Sequence, residues 1–498
     1  MPTTGIRARW IIASDGATHH ILEDGEVVYT DSRIVFTGHG YSGPVDEEIN
    51  VGNADVGPGF VDLDALFDLD STVLGVDNHP GWAKARVWAS TYVERGPRDV
   101  YSAVEEDFGH EYAMVQLLLN GVTTALPIRS ILYREWAETY EENARAADIA
   151  ARLGIRMYLG PSYRTGLPVV YPDGRIGMHW DEERGLQGLD DAIRFVRDFD
   201  GAHDGLVRGF LQPDRIEGCT DALLTRTADA ARQLSVPLRL HCCQGELEVR
   251  IVEDRWGKSS LAVLHDLGVL DTAPLLPHGI FLGGSAPTLE LVERELAWLA
   301  ESGSTIVHCP LVSARGGNVM DSFTRFREHG IGIGLGTDTF PPDIIHNMHT
   351  GLMATRIRTG SPSVTAADYY TAATIGGADA LGRSDLGRLT PGALADITIF
   401  DLDAFHIGQC FDPIQTMVLN GSGRDIHTVI VNGSVVVRDR QLPGVDLAAM
   451  HERAQRQFES LMASYPERAH LHPPVESIFE SSFPIVREGV AERLGMTT

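Results

Sequence analysis

Two hydrophobic rhythms run along this chain. Residues 1–57 hold short runs that alternate apolar and polar positions, IRARWII, GEVVYTDSRIVFTG and EEINVG, broken by turn residues. That period predicts strands with one buried face. Residues 396–439 repeat the pattern with ADITIFD, a turn at Asp412-Pro413, and DIHTVIVNGSVVVRDR, where Asn432-Gly433 between Val-rich runs predicts a hairpin. Neither segment encloses a core alone. The expectation is one small β-sandwich domain built from both, over 1–57 and 386–440.

Residues 58–385 change to apolar runs of strand length, each followed by a stretch of helical period. The expected strands are GFVDLDA, GVTTALPI, IRMYLGP, VRGFLQP, VPLRLHCC, APLLPHGIFL, STIVHCP and GIGIGLGTD. Helices such as DALLTRTADAARQLS and TLELVERELAWLAESG lie between them. This repetition predicts an α/β fold of the closed (β/α)8 TIM-type barrel class. An open doubly wound sheet is disfavoured because the first turn lacks a glycine-rich dinucleotide fingerprint. The intervals 67–100 and 163–185 leave the carboxyl ends of strands and are candidate lids. Residues 441–498 predict a helix and a tail lying on the barrel or on a neighbouring subunit.

The 43% hydrophobic and 22% charged residues describe a globular chain. Its 69 acidic and 41 basic residues give a net charge of −28, which repels nucleic acid and anionic membranes and leaves a small molecule as the expected partner. Homo-oligomerisation is left open. There is no apolar run of about 18 residues to span a membrane, and MPTTGIRARWII has no signal-peptide core. The five cysteines are odd in number and include the adjacent Cys242 and Cys243. A disulfide framework is not indicated, and a reducing cytoplasm is expected.

Metal-competent side chains fall at strand ends. His241 ends VPLRLH, His278 ends APLLPH, His308 ends STIVH, Asp338 ends GIGIGLGTD, and Asp64 lies in GFVDLD. A single histidine at a strand end is ordinarily a hydrogen-bonded core residue. Several at one rim of a barrel converge on its axis, where imidazole and carboxylate suit a divalent cation that activates water.

These residues carry a resemblance. VGPGFVDLDA, GVTTA, TADAARQLSVPLRLHCC, LHDLGVLDTAPLLPHGIFL, IVHCPLVSA, GLGTD and LGRLTPGALADITIFDLDAF, in that order, are similar to the amidohydrolase superfamily. The branch is that of cytosine/guanine-deaminase-like and chlorotriazine- or phenylurea-hydrolase-like enzymes. The resemblance implies that His241 is a metal ligand, that His278 binds metal or contacts water and substrate, and that Asp338 is a ligand and proton acceptor. It implies a zinc, iron or similar ion.

Two positions depart from the family pattern. Its first strand ends in His-x-His, whereas this chain reads Asp64-Ala65-Leu66. Asp64 retains an oxygen donor and Leu66 has none. The expectation is therefore one divalent ion, zinc or iron, on Asp64, His241 and Asp338 with His278, and loss of the metal is left open. His79 is a candidate replacement ligand. Gln244 stands where deaminase-like members carry a proton-shuttling glutamate; it keeps hydrogen bonding and loses the proton. Tyr163, Arg164, His308 and Arg315 are candidate substrate contacts. The expected function is metal-dependent hydrolysis of a non-peptide C–N bond (amide, urea, carbamate or aminated heterocycle) in a small molecule. Asp338 moves the proton, His278 polarises the electrophile and Gln244 positions the substrate. The alternative is a metal-free or non-hydrolytic relative that acts as a binding or scaffold protein or a lyase.

Overall fold

The computed structural model describes residues 2–68, 87–96, 101–128, 136–320 and 323–485. His79 and most of the interval 67–100 lie outside them. The two ends of the chain meet in one eight-stranded sheet. Its neighbours run in the order Ser434–Val437, Ile426–Val431, Ile397–Asp401, Ala54–Pro58, Thr3–Ser14, His19–Thr30 and Arg33–Gly38, with Glu47–Asn50 also paired to Thr3–Ser14. Its own core includes Ile6, Ile11, Val27, Val56, Ile397 and Ile430. The join is made where Ile397–Asp401 runs antiparallel to Ala54–Pro58. Asn432 and Gly433 turn the predicted hairpin, both with positive φ (52° and 79°), as a two-residue turn between right-twisted strands requires. The Asp412-Pro413 step begins a helix, Pro413–Asn420, rather than a bare turn. Asp412 Oδ1 accepts from Ile414 N and Gln415 N, both at 3.0 Å, and proline occupies the first turn, where its missing N–H costs nothing.

The barrel strands are, in order, Phe60–Leu66, Val122–Ile128, Arg156–Leu159, Val207–Gly209, the extended segment 238–242, Leu275–Pro277, Thr305–His308 and Gly332–Leu335. They pair in parallel along the ring. The ring closes where Asp338 N donates to Asp64 O (2.8 Å) and Thr337 N donates to Asp62 Oδ1 (3.0 Å). Helices including Ala103–Leu119, Asp221–Leu234 and Leu289–Ser302 lie between the strands in sequence, and their apolar faces join the strands' outward residues in the largest core cluster. The inward residues Val61, Leu63, Leu126, Phe210, Leu275, Val307 and Cys309 fill the barrel axis. Two-residue alternation along each strand separates the two sets.

Above the carboxyl ends, Gly166–Val170 and Ile176–Trp180 form an antiparallel hairpin extended by Trp88–Ala89. The C-terminal helix Leu447–Arg468 lies along Ala103–Leu119, with Phe108 and Ala454 buried together and Gln457 Nε2 donating to Glu105 O (3.2 Å). No described helix is long and apolar enough to cross a membrane.

Candidate active site

A bulge aims the first strand at the mouth. Asp62 faces Ala125 and Ala65 faces Pro127, so strand 1 uses three residues where strand 2 uses two. The extra residue lets Leu63 pack inside the barrel while Asp64 also turns inward. Asp62 holds this geometry: its carboxylate accepts from Asp64 N (3.1 Å), Thr337 N (3.0 Å) and Thr337 Oγ1 (2.6 Å). Burial raises its pKa to about 6. A Cβ at Gly336 would lie 2.4 Å from Asp64 Cβ and 3.0 Å from Cys309 Sγ, so the glycine in GLGTD makes room for the carboxylate. Leu66 packs into the outer core.

The fifth strand sends His241 inward. Its Nδ1 is 2.7 Å from the carbonyl oxygen of Asp214. A carbonyl only accepts, so Nδ1 carries the proton and Nε2 presents a lone pair to the site. His278 and Asp338 both have positive φ (84° and 41°), a backbone region that disfavours side chains and recurs at functional sites. His278 Nε2 lies 3.8 Å from Asp338 Oδ2, and His241 Nε2 lies 3.4 Å from Asp64 Oδ1.

Asp64, His241 and His278 offer ligand atoms within 4.8 Å of one another, and so do His278, Cys309 and Asp338. His278 belongs to both groups. His241 Nε2 and His278 Nε2 are buried without a hydrogen-bond partner among the described residues, an expensive state unless another species meets them, while Asp64 Oδ1 is met by the Arg239 guanidinium at 3.1 Å. Nitrogen and oxygen donors at this spacing fit a divalent cation. Burial raises the Asp64 pKa, but contact with His241 and the charge of Arg239 outweigh it and hold the group at about 2. Burial, aided by the neighbouring His241, holds His278 well below the usual imidazole value.

The other expected residues separate. Arg215 donates to Gln244 Oε1, which leaves the amide nitrogen of Gln244 as a donor. The turn that carries Gln244 is held by Glu248, whose carboxylate accepts from Cys243 N (2.6 Å), Gln244 N (2.8 Å) and Ser260 Oγ (2.6 Å). Two of the candidate substrate contacts face the helical layer. Tyr163 is buried, with its hydroxyl 3.2 Å from Thr227 Oγ1 on the surrounding helix. His308 packs against Phe323 and Tyr369 of the helical layer. Strand alternation gives the inward place on strand 7 to Cys309, and burial lowers the His308 pKa to about 3. Arg164 pairs with Asp214 (3.0 Å) and so braces the residue that orients His241. Arg315 donates to Thr339 Oγ1 and to Phe340 O (3.2 Å), stitching the segment after Asp338.

Reading the sequence alone missed four residues here: Asp214, Arg215, Arg239 and Cys309. Arg239 and Cys309 sit on strands already recognised, and counting by twos from His241 places Arg239 on the inward face. Asp214 and Arg215 follow the fourth strand, which carries no histidine.

The profile of the amidohydrolase family matches residues 102–436, and the chain belongs to that family. It is thereby an enzyme that hydrolyses carbon–nitrogen bonds other than peptide bonds. Among curated relatives, a 5-methylthioadenosine/S-adenosylhomocysteine deaminase of Natronomonas pharaonis is 28% identical over 387 residues, covering 77% of this chain and 80% of the relative. A 5'-deoxyadenosine deaminase of Methanosarcina mazei is 26% identical over 452 residues, covering 89% and 94%. Among solved structures, a zinc-bound adenosine deaminase from Xanthomonas campestris superposes with a TM-score of 0.75 at 19% identity, covering 92% and 98%. Atrazine chlorohydrolase from Arthrobacter aurescens TC1, complexed with zinc, superposes with a TM-score of 0.72 at 21% identity, covering 91% and 100%.

Proposed function

We propose that this protein is a mononuclear metal-dependent hydrolase that displaces nitrogen from an aminated heterocycle in a small molecule. The observation that carries the reading is the cluster of Asp64, His241, His278 and Asp338 at one rim, with His241 Nε2 and His278 Nε2 buried and without hydrogen-bond partners among the described residues. Those four side chains would hold one ion, zinc or iron. When bound, a divalent cation there supplies Lewis acidity to water and to the electrophile.

The protein groups divide the remaining work. His241 is fixed by Asp214 with its lone pair inward. Asp338 accepts the proton of the attacking water and delivers it to the leaving nitrogen. His278, facing Asp338, stays neutral in its buried position and polarises the ring carbon's neighbourhood. Gln244 carries no proton of its own. With Arg215 on its oxygen, its amide N–H is directed to a ring nitrogen, where negative charge develops on attack. The activities of the deaminase relatives support a purine-like ring, and the glutamine favours substrates whose leaving group needs a single proton, supplied by Asp338.

Ammonia release is the test. The zinc-loaded protein is offered 5'-deoxyadenosine, 5-methylthioadenosine, and a panel of amides, ureas and carbamates. The expected result is release from an aminated heterocycle, abolished by chelator, restored by zinc, and reduced at least 1,000-fold in D338N, on the order of a lost proton carrier together with a lost ligand. Hydrolysis confined to the amides or ureas would overturn the choice of substrate. Turnover unaffected by chelator or by D338N would overturn the site.

A further inference from the structure

Arg239 lies two residues before His241, on the same inward face of the fifth strand. Its side chain is buried on the barrel axis, 1% exposed. It donates to Leu63 O (3.2 Å), Leu126 O (3.0 Å), Pro127 O (2.6 Å) and Gln212 Oε1 (2.6 Å), and lies 5.2 Å from the centre of the Phe210 ring. It thereby ties strands 1, 2, 4 and 5 together directly beneath the mouth. Its Nη1 is also 3.1 Å from Asp64 Oδ1, the same oxygen that lies 3.4 Å from His241 Nε2.

The charges facing the cradle explain why this matters. Arg239 sets one positive charge against the Asp64 carboxylate, and the guanidinium of Arg215 acts as a second on Asp338 and His278. The two ligand groups hold one carboxylate each, Asp64 and Asp338, so a second divalent ion would meet both guanidinium charges with no further carboxylate to offset it. Buried charge without a partner is strongly disfavoured.

We propose that Arg239 is an internal counter-cation that shares Asp64 with the bound ion. It neutralises that carboxylate when no ion is present and limits the cradle to one divalent ion. It is a positioning residue, acting through Asp64, and the proposal rests on the metal reading above.

Full-length protein is stripped with chelator and titrated with zinc by calorimetry, with bound zinc counted by mass spectrometry and the stripped protein melted in parallel. Wild type takes one zinc per chain. R239M binds zinc at least tenfold more tightly, because a like charge has gone from beside the ligand, and its stripped form melts at a lower temperature. R239K, which keeps the charge, stays close to wild type in both readouts. In the stripped protein D64N also melts lower, and the D64N/R239M double variant loses less than the sum of the two singles. Zinc affinity in folded R239M that is unchanged or weaker overturns the proposal, as do additive losses in melting temperature. If R239M does not fold, stripped D64N decides: its guanidinium is left without a counter-ion, and a melting temperature equal to wild type overturns the proposal. If wild type takes no zinc, the metal reading fails, while the melting comparison still decides whether Asp64 and Arg239 are coupled.

Discussion

Glu217 follows the fourth barrel strand in a turn whose residues Ile216–Gly218 are all buried. Its Oε2 has no hydrogen-bond partner among the described residues. Burial, reinforced by the charge of Glu248, raises its pKa to about 7 despite the opposing pull of Arg215. The folded protein therefore holds this proton more tightly than the unfolded chain. Stability from this group is full below the ordinary value of 4.5 and is lost as pH rises towards about 7. The interval, 7 − 4.5, at about 1.4 kcal/mol per unit is on the order of 3 kcal/mol. Glutamine imitates the protonated acid in shape and charge. E217Q is therefore expected to unfold with a free energy about 3 kcal/mol above wild type at pH 8, and within about 1 kcal/mol of it at pH 5. Urea unfolding at the two pH values measures both numbers. An equal difference at pH 5 and pH 8, or a variant less stable than wild type at pH 8, would refute the argument that the carboxylate is held in its acid form by burial.

Gly336→Ala places a methyl group 2.4 Å from Asp64 Cβ, so thermal melting should show a loss of about 1–3 kcal/mol and zinc titration a weakened site. Arg156→Met breaks the buried pair that joins the third barrel strand to Asp396 beside the terminal sheet, at 3.3 Å; among the described residues the Asp396 carboxylate then keeps its contact with Asn432 N (2.7 Å). Denaturant unfolding should show a loss of about 3–5 kcal/mol, and a loss below 1 kcal/mol would mean that water reaches the carboxylate.

Local pattern alone carried the architecture a long way. A two-residue period marks strands and a 3.6-residue period marks helices wherever one face is buried, so the eight barrel strands and the hairpin at Asn432-Gly433 could be read from the chain. The ends of those strands bring His241, His278 and Asp338 to one rim, because parallel strands in a closed ring all present their carboxyl ends on the same side. What the chain could not disclose is which side chains face each other across the ring. A bulge decides that Asp64 turns inward, alternation decides that Cys309 rather than His308 does, and closure decides that Arg239 meets a carboxylate 175 positions away in sequence. Tyr163 shows the same boundary from the other side: a polar residue just past a strand end reads as a rim contact until the helix that covers it is in place. Periodicity is a property of neighbours along the chain, whereas ligand geometry and charge pairing belong to residues that become neighbours only when the ring closes.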